Sequence, residues 1–103
     1  MATSRIDIFE QMIAADPSNT MVLFGLAKEY EKAGADAKVI EILERYLAAA
    51  DDEGNAYGML AAAYDRTNQR DKARETYERG IEVSTAHGHP GMAEEYRQIL
   101  ESR

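Results

Sequence analysis

The sequence contains no cysteine among its 103 residues. That absence excludes disulfide bonds, thiolate metal sites and cysteine nucleophiles. Long hydrophobic runs are also missing, since no apolar stretch approaches the roughly 20 residues that a membrane-spanning helix requires. The leading segment, Met1 to Asp16, interrupts its apolar residues with Asp7 and Glu10, so no secretory leader is predicted there. We therefore expect a cytoplasmic protein that does not enter a membrane.

Positive charge is scarce as well. Twelve Lys and Arg residues against 19 Asp and Glu residues give a net charge of −7. An acidic chain repels polyphosphate, so nucleic acid is not an expected partner. One group of basic residues alternates with acidic ones, which indicates a solvated helix face. Its basic members are Arg70, Lys72, Arg74 and Arg79.

Catalytic motifs are absent from the sequence: it has no G-x-S-x-G elbow, glycine-rich phosphate loop or H-E-x-x-H pair. The adjacent carboxylates of Asp51, Asp52 and Glu53 point in different directions on any regular backbone, so they are better suited to helix capping than to acid–base work. The serines fall at predicted helix ends, where serine caps. These are Ser4, Ser18, Ser84 and Ser102. We predict no catalytic residue and no enzymatic activity.

His87 and His89 are the only histidines and flank Gly88. Two imidazoles are a possible chelating pair, but zinc normally takes three or four protein ligands. The sequence has no cysteine and no nearby carboxylate at ligand spacing. The favoured interpretation is a polar helix break, and we expect no metal and no cofactor.

Helix formers dominate every segment, β-branched residues are sparse, and breakers recur at regular intervals. Pro17 separates a first helix ending near Ala15 from a second beginning near Thr20. Gly34 and, in the same role, Asn68 suit left-handed helix C-caps. The sequence further predicts Asp36 as the cap of the third helix and Pro90 in the first turn of the sixth.

A period of 34 residues relates two of these helical hairpins. The separation is that between Tyr30 and Tyr64, and several neighbours keep it. The related pairs are Leu23 with Tyr57, Leu26 with Leu60, Ala27 with Ala61, Leu43 with Tyr77 and Leu47 with Ile81. A fixed period of this length is typical of stacked two-helix repeats.

The duplicated pattern resembles the tetratricopeptide repeat family, whose motif runs from a large residue through leucine, a small residue, tyrosine and a glycine turn to alanine, an aromatic residue and proline. The first repeat fills these slots with Leu23, Leu26, Ala27, Tyr30, Gly34, Val39 and Leu43, and the second with Tyr57, Leu60, Ala61, Tyr64, Asn68, Ala73 and Tyr77. Neither repeat closes with proline, because Asp51 and Thr85 stand at that position; Pro17 does occupy it.

The resemblance implies an all-α fold: an antiparallel helix-hairpin stack, or TPR-like α-α superhelix, of about six helices. It also implies a single domain over residues 1–103. Residues 4–16 form a lone half-repeat helix, 20–50 the first repeat, 54–85 the second repeat and 90–102 a capping helix. Stacked repeats need such a solvating helix at an exposed end.

In this family the first helix of each pair lines a concave groove that holds another chain. The resemblance therefore implies a non-enzymatic protein–protein interaction module that binds a peptide or helix of a partner. Helix geometry assigns the groove-facing positions. They are Met21, Phe24, Lys28, Lys32, Asn55, Met59, Ala62 and Arg66. Gly58 and Ala62 are expected to leave room beside Phe24, and the cations to favour an acidic or amphipathic segment.

Alternatives remain for the groove and for the function. In the competing interpretation of the groove, Phe24 is covered by Phe9 or packs against Tyr57. In the same interpretation, Lys28 and Lys32 pair with acidic residues of their own helix. Two alternatives to the interaction module remain for the function: a small assembly chaperone for a client protein, or a structural protein that associates with itself. We expect a monomer, with weak dimerisation as the alternative. The clamp of lysine and asparagine that grips chaperone tails in some relatives has no counterpart here.

Overall fold

Capping side chains and helix breakers divide the chain into short helices. The structure is a computed structural model that describes residues 4–103, so Met1 to Thr3 of the predicted domain lie outside the described range. Within that range the chain forms six α-helices and no strand, which confirms the all-α prediction. The helices are α1 Arg5–Ala15, α2 Thr20–Lys32, α3 Asp36–Ala49, α4 Asn55–Arg66, α5 Arg70–Ala86 and α6 Pro90–Glu101.

Three helices begin at a polar side chain that satisfies free backbone N–H groups. Ser4 and Asn19 each accept a hydrogen bond from the N–H three residues further on, at 3.1 and 3.2 Å. Asp52 precedes α4 and accepts from the N–H groups of Gly54 and Ala56, at 2.9 and 3.0 Å. These bonds explain why α1, α2 and α4 start where they do.

Two of the predicted caps are wrong. Asp36 is the first helical residue of α3, and the N-cap is Ala35, which has no side-chain oxygen to offer. Ser84 lies inside α5, fully buried, and its hydroxyl donates to the carbonyl oxygen of Gly80 at 2.7 Å. A buried hydroxyl in a helix satisfies itself in this way because no water reaches it.

Left-handed C-caps end α2 and α4, as predicted for Gly34 and Asn68, and a third, at Gly88, ends α5. Gly34, Asn68 and Gly88 have φ angles of 73°, 62° and 78°. The N–H of the residue after Gly34 donates to the Tyr30 carbonyl at 3.0 Å, and the residue after Asn68 donates to Tyr64 at 2.8 Å. The repeat is therefore reproduced in the backbone hydrogen bonds, which form the same Schellman motif twice.

The buried residues keep the same 34-residue spacing. Leu26 is fully buried in α2, and Leu60 is 5% exposed in α4. Ala27 and Ala61 are also buried, and their small side chains let neighbouring helices approach closely. The packing residues of the repeat are thus core residues, as their spacing indicates.

The chain divides into two compact units, the first ending at Ala50 and the second running from Asp51 to Arg103. In the first unit α2 packs against both α1 and α3, and in the second α5 packs against both α4 and α6. Between Ser4 and Arg103, every helix is too short or too polar to cross a bilayer.

Candidate functional site

An open depression of about 410 Å³ lies on the surface of the first unit. We call it the Phe24 depression; it is lined by Thr20, Met21, Phe24, Gly25 and Lys28 of α2 and by Tyr46 of α3. Three of the eight predicted groove residues meet here, namely Met21, Phe24 and Lys28. The helical spacing places them on one face, because positions three and four residues apart are neighbours on a helix surface.

Phe24 is half-buried and packs against Tyr46, with the two ring centroids 5.2 Å apart and the planes tilted by 42°. Tyr46 is not among the partners that the sequence indicated for Phe24. A tilted aromatic pair of this kind stabilises by about 0.5–1.5 kcal/mol beyond the area it buries. The pair joins α2 to α3 and fixes the floor of the Phe24 depression.

The rim of the depression combines an apolar side chain with a positive charge. Met21 is 85% exposed, the most exposed large hydrophobic residue in residues 4–103. The ammonium group of Lys28 lies 5.1 Å above the centre of the Phe24 ring, a cation–π distance. Lys28 forms no ion pair within the described part of the chain, so its charge faces solvent beside the ring.

Lys32, the fourth predicted groove residue of this helix, does not line the Phe24 depression and makes a different contact. Its ammonium group lies 3.3 Å from Glu29, which also meets Arg5 of α1 at 3.4 Å. The alternative interpretation, in which Lys28 and Lys32 pair with acidic residues of their own helix, therefore holds for Lys32 but not for Lys28. The ring of Phe9 in α1 packs over Gly25, where an added Cβ would lie 3.2 Å from it. The alternative in which Phe9 covers Phe24 stays a prediction.

The other four predicted groove residues lie on α4, in the second unit. Asn55 and Arg66 are exposed, while Met59 and Ala62 are half-buried. None of them lines the Phe24 depression, so the proposed continuous groove stays a prediction.

Gly58 of α4 does not leave open space, which corrects the expectation from the sequence. A Cβ placed on Gly58 would lie 2.6 Å from the hydroxyl oxygen of Tyr96 in α6. A Cβ placed on Gly80 of α5 would lie 2.9 Å from Cε2 of the same ring and 2.9 Å from Cβ of Tyr57 in α4. The missing side chain of Gly58 therefore lets α6 approach α4, and that of Gly80 lets both α4 and α6 approach α5.

Tyr96 also forms the polar contact that fixes α6. Its hydroxyl donates to the carbonyl oxygen of Gly54 at 2.8 Å, and its ring lies 5.7 Å from that of Tyr77. Burial raises the pKa of both phenols, because the charged form would lose its hydration. We call Gly54, Gly58 and Gly80, together with the backbone around them, the Tyr96 seat.

The two histidines have carboxylate partners that sequence spacing did not reveal. His89 Nε2 lies 2.6 Å from Glu53, and His87 Nε2 lies 3.7 Å from Asp51. The expectation that no carboxylate lies near the histidines is therefore wrong. No group of three such side chains within residues 4–103 is arranged to hold a metal ion. The pairs instead join the segment before α4 to the turn before α6.

A second depression, of about 290 Å³, lies at the start of α5. Its lining is Arg70, Asp71, Arg74, Glu78, Leu100 and Arg103. Arg74 lies 3.7 Å from Asp71 and 3.9 Å from Glu78, and Arg103 lies 2.6 Å from Asp65. Because two of its three cations are paired, this surface is a poor anion site.

Comparison with known proteins assigns the fold. No family model matches the sequence, and no curated protein matches it significantly. Among solved structures, the one titled "Crystal structure of MamA" is similar, with a TM-score of 0.52 and 19% sequence identity over 98% of this chain and 95% of that chain. At that identity the likeness concerns the fold alone. It shows that this chain has a TPR-like helical fold.

Proposed function

We propose that this protein is a non-enzymatic interaction module of the tetratricopeptide type, which holds a segment of a partner protein on the face of α2. The division into one half-repeat, two repeats and a capping helix within a single domain is part of this proposal. The observation that carries it is the Phe24 depression, where an exposed methionine, a half-buried aromatic ring and a lysine without an ion pair in the described chain adjoin one another.

The chemistry of the Phe24 depression suits a partner that is apolar with negative charge beside it. Covering apolar surface stabilises a complex by about 25 cal/mol per Å² before ordering costs are subtracted. Met21 is adaptable because its side chain is unbranched and flexible, so it fits partners of varied shape. Lys28 attracts a carboxylate and discriminates against a basic segment.

The repeat supports the non-enzymatic part of the proposal. Its recurring residues, such as Leu26 with Leu60, are core packing residues rather than reactive groups. A fold of this kind does not by itself assign a function, so the proposal rests on the depression and not on the likeness.

The test places a photo-reactive amino acid at Met21 and cross-links the protein in cells from its source. We expect a discrete adduct at position 21 that disappears when Phe24→Asp and Lys28→Glu are added. The matched control combines Ile99→Asp with Lys38→Glu, which makes the same change in charge at exposed positions. An adduct that persists in the Phe24 and Lys28 double variant would show that this face is not the binding surface.

Self-association is a second candidate, favoured by an exposed apolar stripe on α1. Ile8 and Met12 lie one turn apart and are 46% and 45% exposed. Light scattering over a range of protein concentrations distinguishes the candidates. An interaction module should stay monomeric, whereas a self-associating protein should gain mass with concentration and lose that gain in Ile8→Glu.

A further inference from the structure

Ile8 and Met12 are exposed apolar side chains one turn apart on α1, and we call them the α1 stripe. The 34-residue repeat relates Ile8 to Ile42 of α3, which has the same side chain. Ile8 is 46% exposed, whereas Ile42 is 3% exposed. The two positions therefore differ in what covers them and not in their chemistry.

The equivalents of Met12 indicate which neighbour the α1 stripe lacks. They are Tyr46 in α3 and Gly80 in α5. Tyr46 meets Phe24 of α2, with the ring centroids 5.2 Å apart. A Cβ placed on Gly80 would lie 2.9 Å from Cβ of Tyr57 in α4. In both repeats, this position contacts the first helix of its own hairpin.

Another side of α1 packs against the helix that follows it. Phe9 lies over Gly25 of α2. The equivalent of Phe9 in α5 is Tyr77, whose ring lies 5.7 Å from that of Tyr96 in α6, the helix that follows α5. A first helix for α1 would be numbered 34 below α2 and so falls outside residues 4–103. The α1 stripe is therefore left exposed within the described chain.

The same equivalents indicate the side chain that a covering helix should carry. The two first helices present an aromatic residue at this contact, Phe24 in α2 and Tyr57 in α4. An aromatic ring against Met12 would bury apolar surface and add a favourable contact with the thioether sulfur. The covering helix is therefore amphipathic, with a ring at the centre of its apolar face.

The charges beside the α1 stripe favour a basic helix. Arg5 is engaged within the unit, because its guanidinium group lies 3.4 Å from Glu29 and 5.8 Å from the centre of the Phe9 ring. Asp7, next to Ile8, is exposed and forms no ion pair within residues 4–103. A lysine or arginine on the arriving helix would pair with it. A second copy of the chain carries a net charge of −7 and is repelled, so it is the less favourable occupant.

We infer that the α1 stripe receives a basic amphipathic α-helix of a partner protein, which places an aromatic side chain against Met12 and a cation beside Asp7. This helix takes the place of a first helix and completes the half-repeat. The inference goes beyond the proposed function, because the α1 stripe shares no residue with the Phe24 depression and suits a partner of opposite charge.

The experiment titrates four synthetic peptides into the 103-residue protein, labelled on its methionine methyl groups. The reference peptide is an amphipathic helix with phenylalanine at the centre of its apolar face and lysines beside it. Its variants carry alanine for phenylalanine, glutamates for lysines, or a central proline that breaks the helix. The NMR signal of Met12 is the readout, and Met21 reports on the Phe24 depression. Affinities come from the fluorescence anisotropy of dye-labelled peptides.

We expect the reference peptide to shift the Met12 signal and not that of Met21. It should bind about two- to fivefold more tightly than the glutamate peptide, the range for one exposed ion pair. Asp7→Lys should reverse that order, and the gained binding of the glutamate peptide is a result that an unfolded variant would not show.

A matched pair of variants tests the apolar contact. Ile8→Asn should weaken the reference peptide by about threefold or more, because the half-exposed side chain no longer contributes apolar surface. Ile99→Asn makes the same change at an exposed isoleucine of α6 and should leave the affinity unchanged. The alanine peptide should bind more weakly than the reference peptide to the unaltered protein.

The inference is wrong if the proline peptide binds as well as the helical one, because the α1 stripe then takes an extended segment. It is also wrong if the reference peptide shifts Met21 instead of Met12, or shifts neither. Light scattering that shows the protein alone pairing through Ile8 would overturn it as well, since a second copy then covers the stripe. None of these results touches the cross-link at position 21, which tests the proposed function separately.

Discussion

Tyr96 occupies the position where Gly58 would carry a side chain, with its hydroxyl oxygen 2.6 Å from that point. The same hydroxyl donates to the Gly54 carbonyl at 2.8 Å. One aromatic residue thus gives α6 both its closest packing and a buried hydrogen bond. The attachment of α6 therefore depends on a contact between Tyr96 and Gly58 that neither residue indicates by itself in the sequence.

Gly58→Ala should destabilise the protein by about 1–3 kcal/mol, because the added methyl group overpacks the Tyr96 seat. In a Tyr96→Ala background the same change should become neutral or stabilising, since alanine favours a helix by about 1 kcal/mol over glycine. Urea unfolding of the two single variants and the double variant measures the coupling. Equal costs of Gly58→Ala in both backgrounds would contradict the contact.

Gly34→Ala should lower the free energy of unfolding by about 1–2 kcal/mol, because alanine is strained at a φ of 73°. Asn68→Gly should be neutral or slightly stabilising, since glycine adopts the same conformation without strain. Gly91→Ala is the matched control: Gly91 lies in α6, has no positive φ and has no neighbour within 4 Å of an added Cβ. If Gly91→Ala lowered the free energy of unfolding as much as Gly34→Ala, backbone conformation at Gly34 would not be the cause.

Stability should fall at alkaline pH through Tyr30. Burial, followed by a hydrogen bond of 2.9 Å to Glu10, raises its pKa from 10.0 to about 12. The folded protein therefore holds a proton that the unfolded chain releases, and this contribution is lost as the pH rises from 10 to about 12. Titration of tyrosinate absorbance should show one late phenol fewer in Tyr30→Phe than in the unaltered protein, where Tyr77 and Tyr96 also ionise late. Glu10→Gln should shift the Tyr30 phenol to lower pH.

Acid should weaken the segment before α4. The hydrogen bond from His89, and then the imidazolium charge, hold the pKa of Glu53 below its ordinary value of 4.5. The resulting stabilisation is complete above pH 4.5 and is lost as the pH falls through the lower pKa of the folded state. An NMR titration of the Glu53 carboxyl carbon should give a midpoint below 4.5. His89→Gln should return it towards that value, and His87→Gln should move it less. An unchanged midpoint in His89→Gln would exclude the pair.

The fold was predictable because its signals are local. Gly34 and Asn68 end helices through their own backbone preference, and Asn19 caps α2 through an N–H three residues away. The equivalence of Leu26 and Leu60 needs only the 34-residue period. The caps depend on neighbours within one or two turns, and the period is a pattern of residue types, so the sequence displays both directly.

The missed features all join residues distant in sequence. From the sequence, Gly58 suggests open space, because the residue that requires a glycine there, Tyr96, lies in another helix of the same unit. His89 and Glu53 are separated by 36 residues, so no ligand spacing reveals them. The partner of Phe24 was also hidden, since the depression depends on how α2 meets α3. Three of the eight predicted groove residues lie together because they share a helix face, which periodicity does convey.

The Tyr96 seat has a consequence for protein engineering. A duplicated hairpin is usually regarded as an interchangeable module. Here, however, the positions 34 residues before Gly54, Gly58 and Gly80 hold the larger Thr20, Phe24 and Tyr46, so the two copies are not equivalent. Grafting α6 directly after α3 would present its tyrosine to Phe24 and Tyr46 in place of Gly58 and Gly80. Rearranged or lengthened arrays of these hairpins should therefore assemble only when the residue at the junction is exchanged together with the helix.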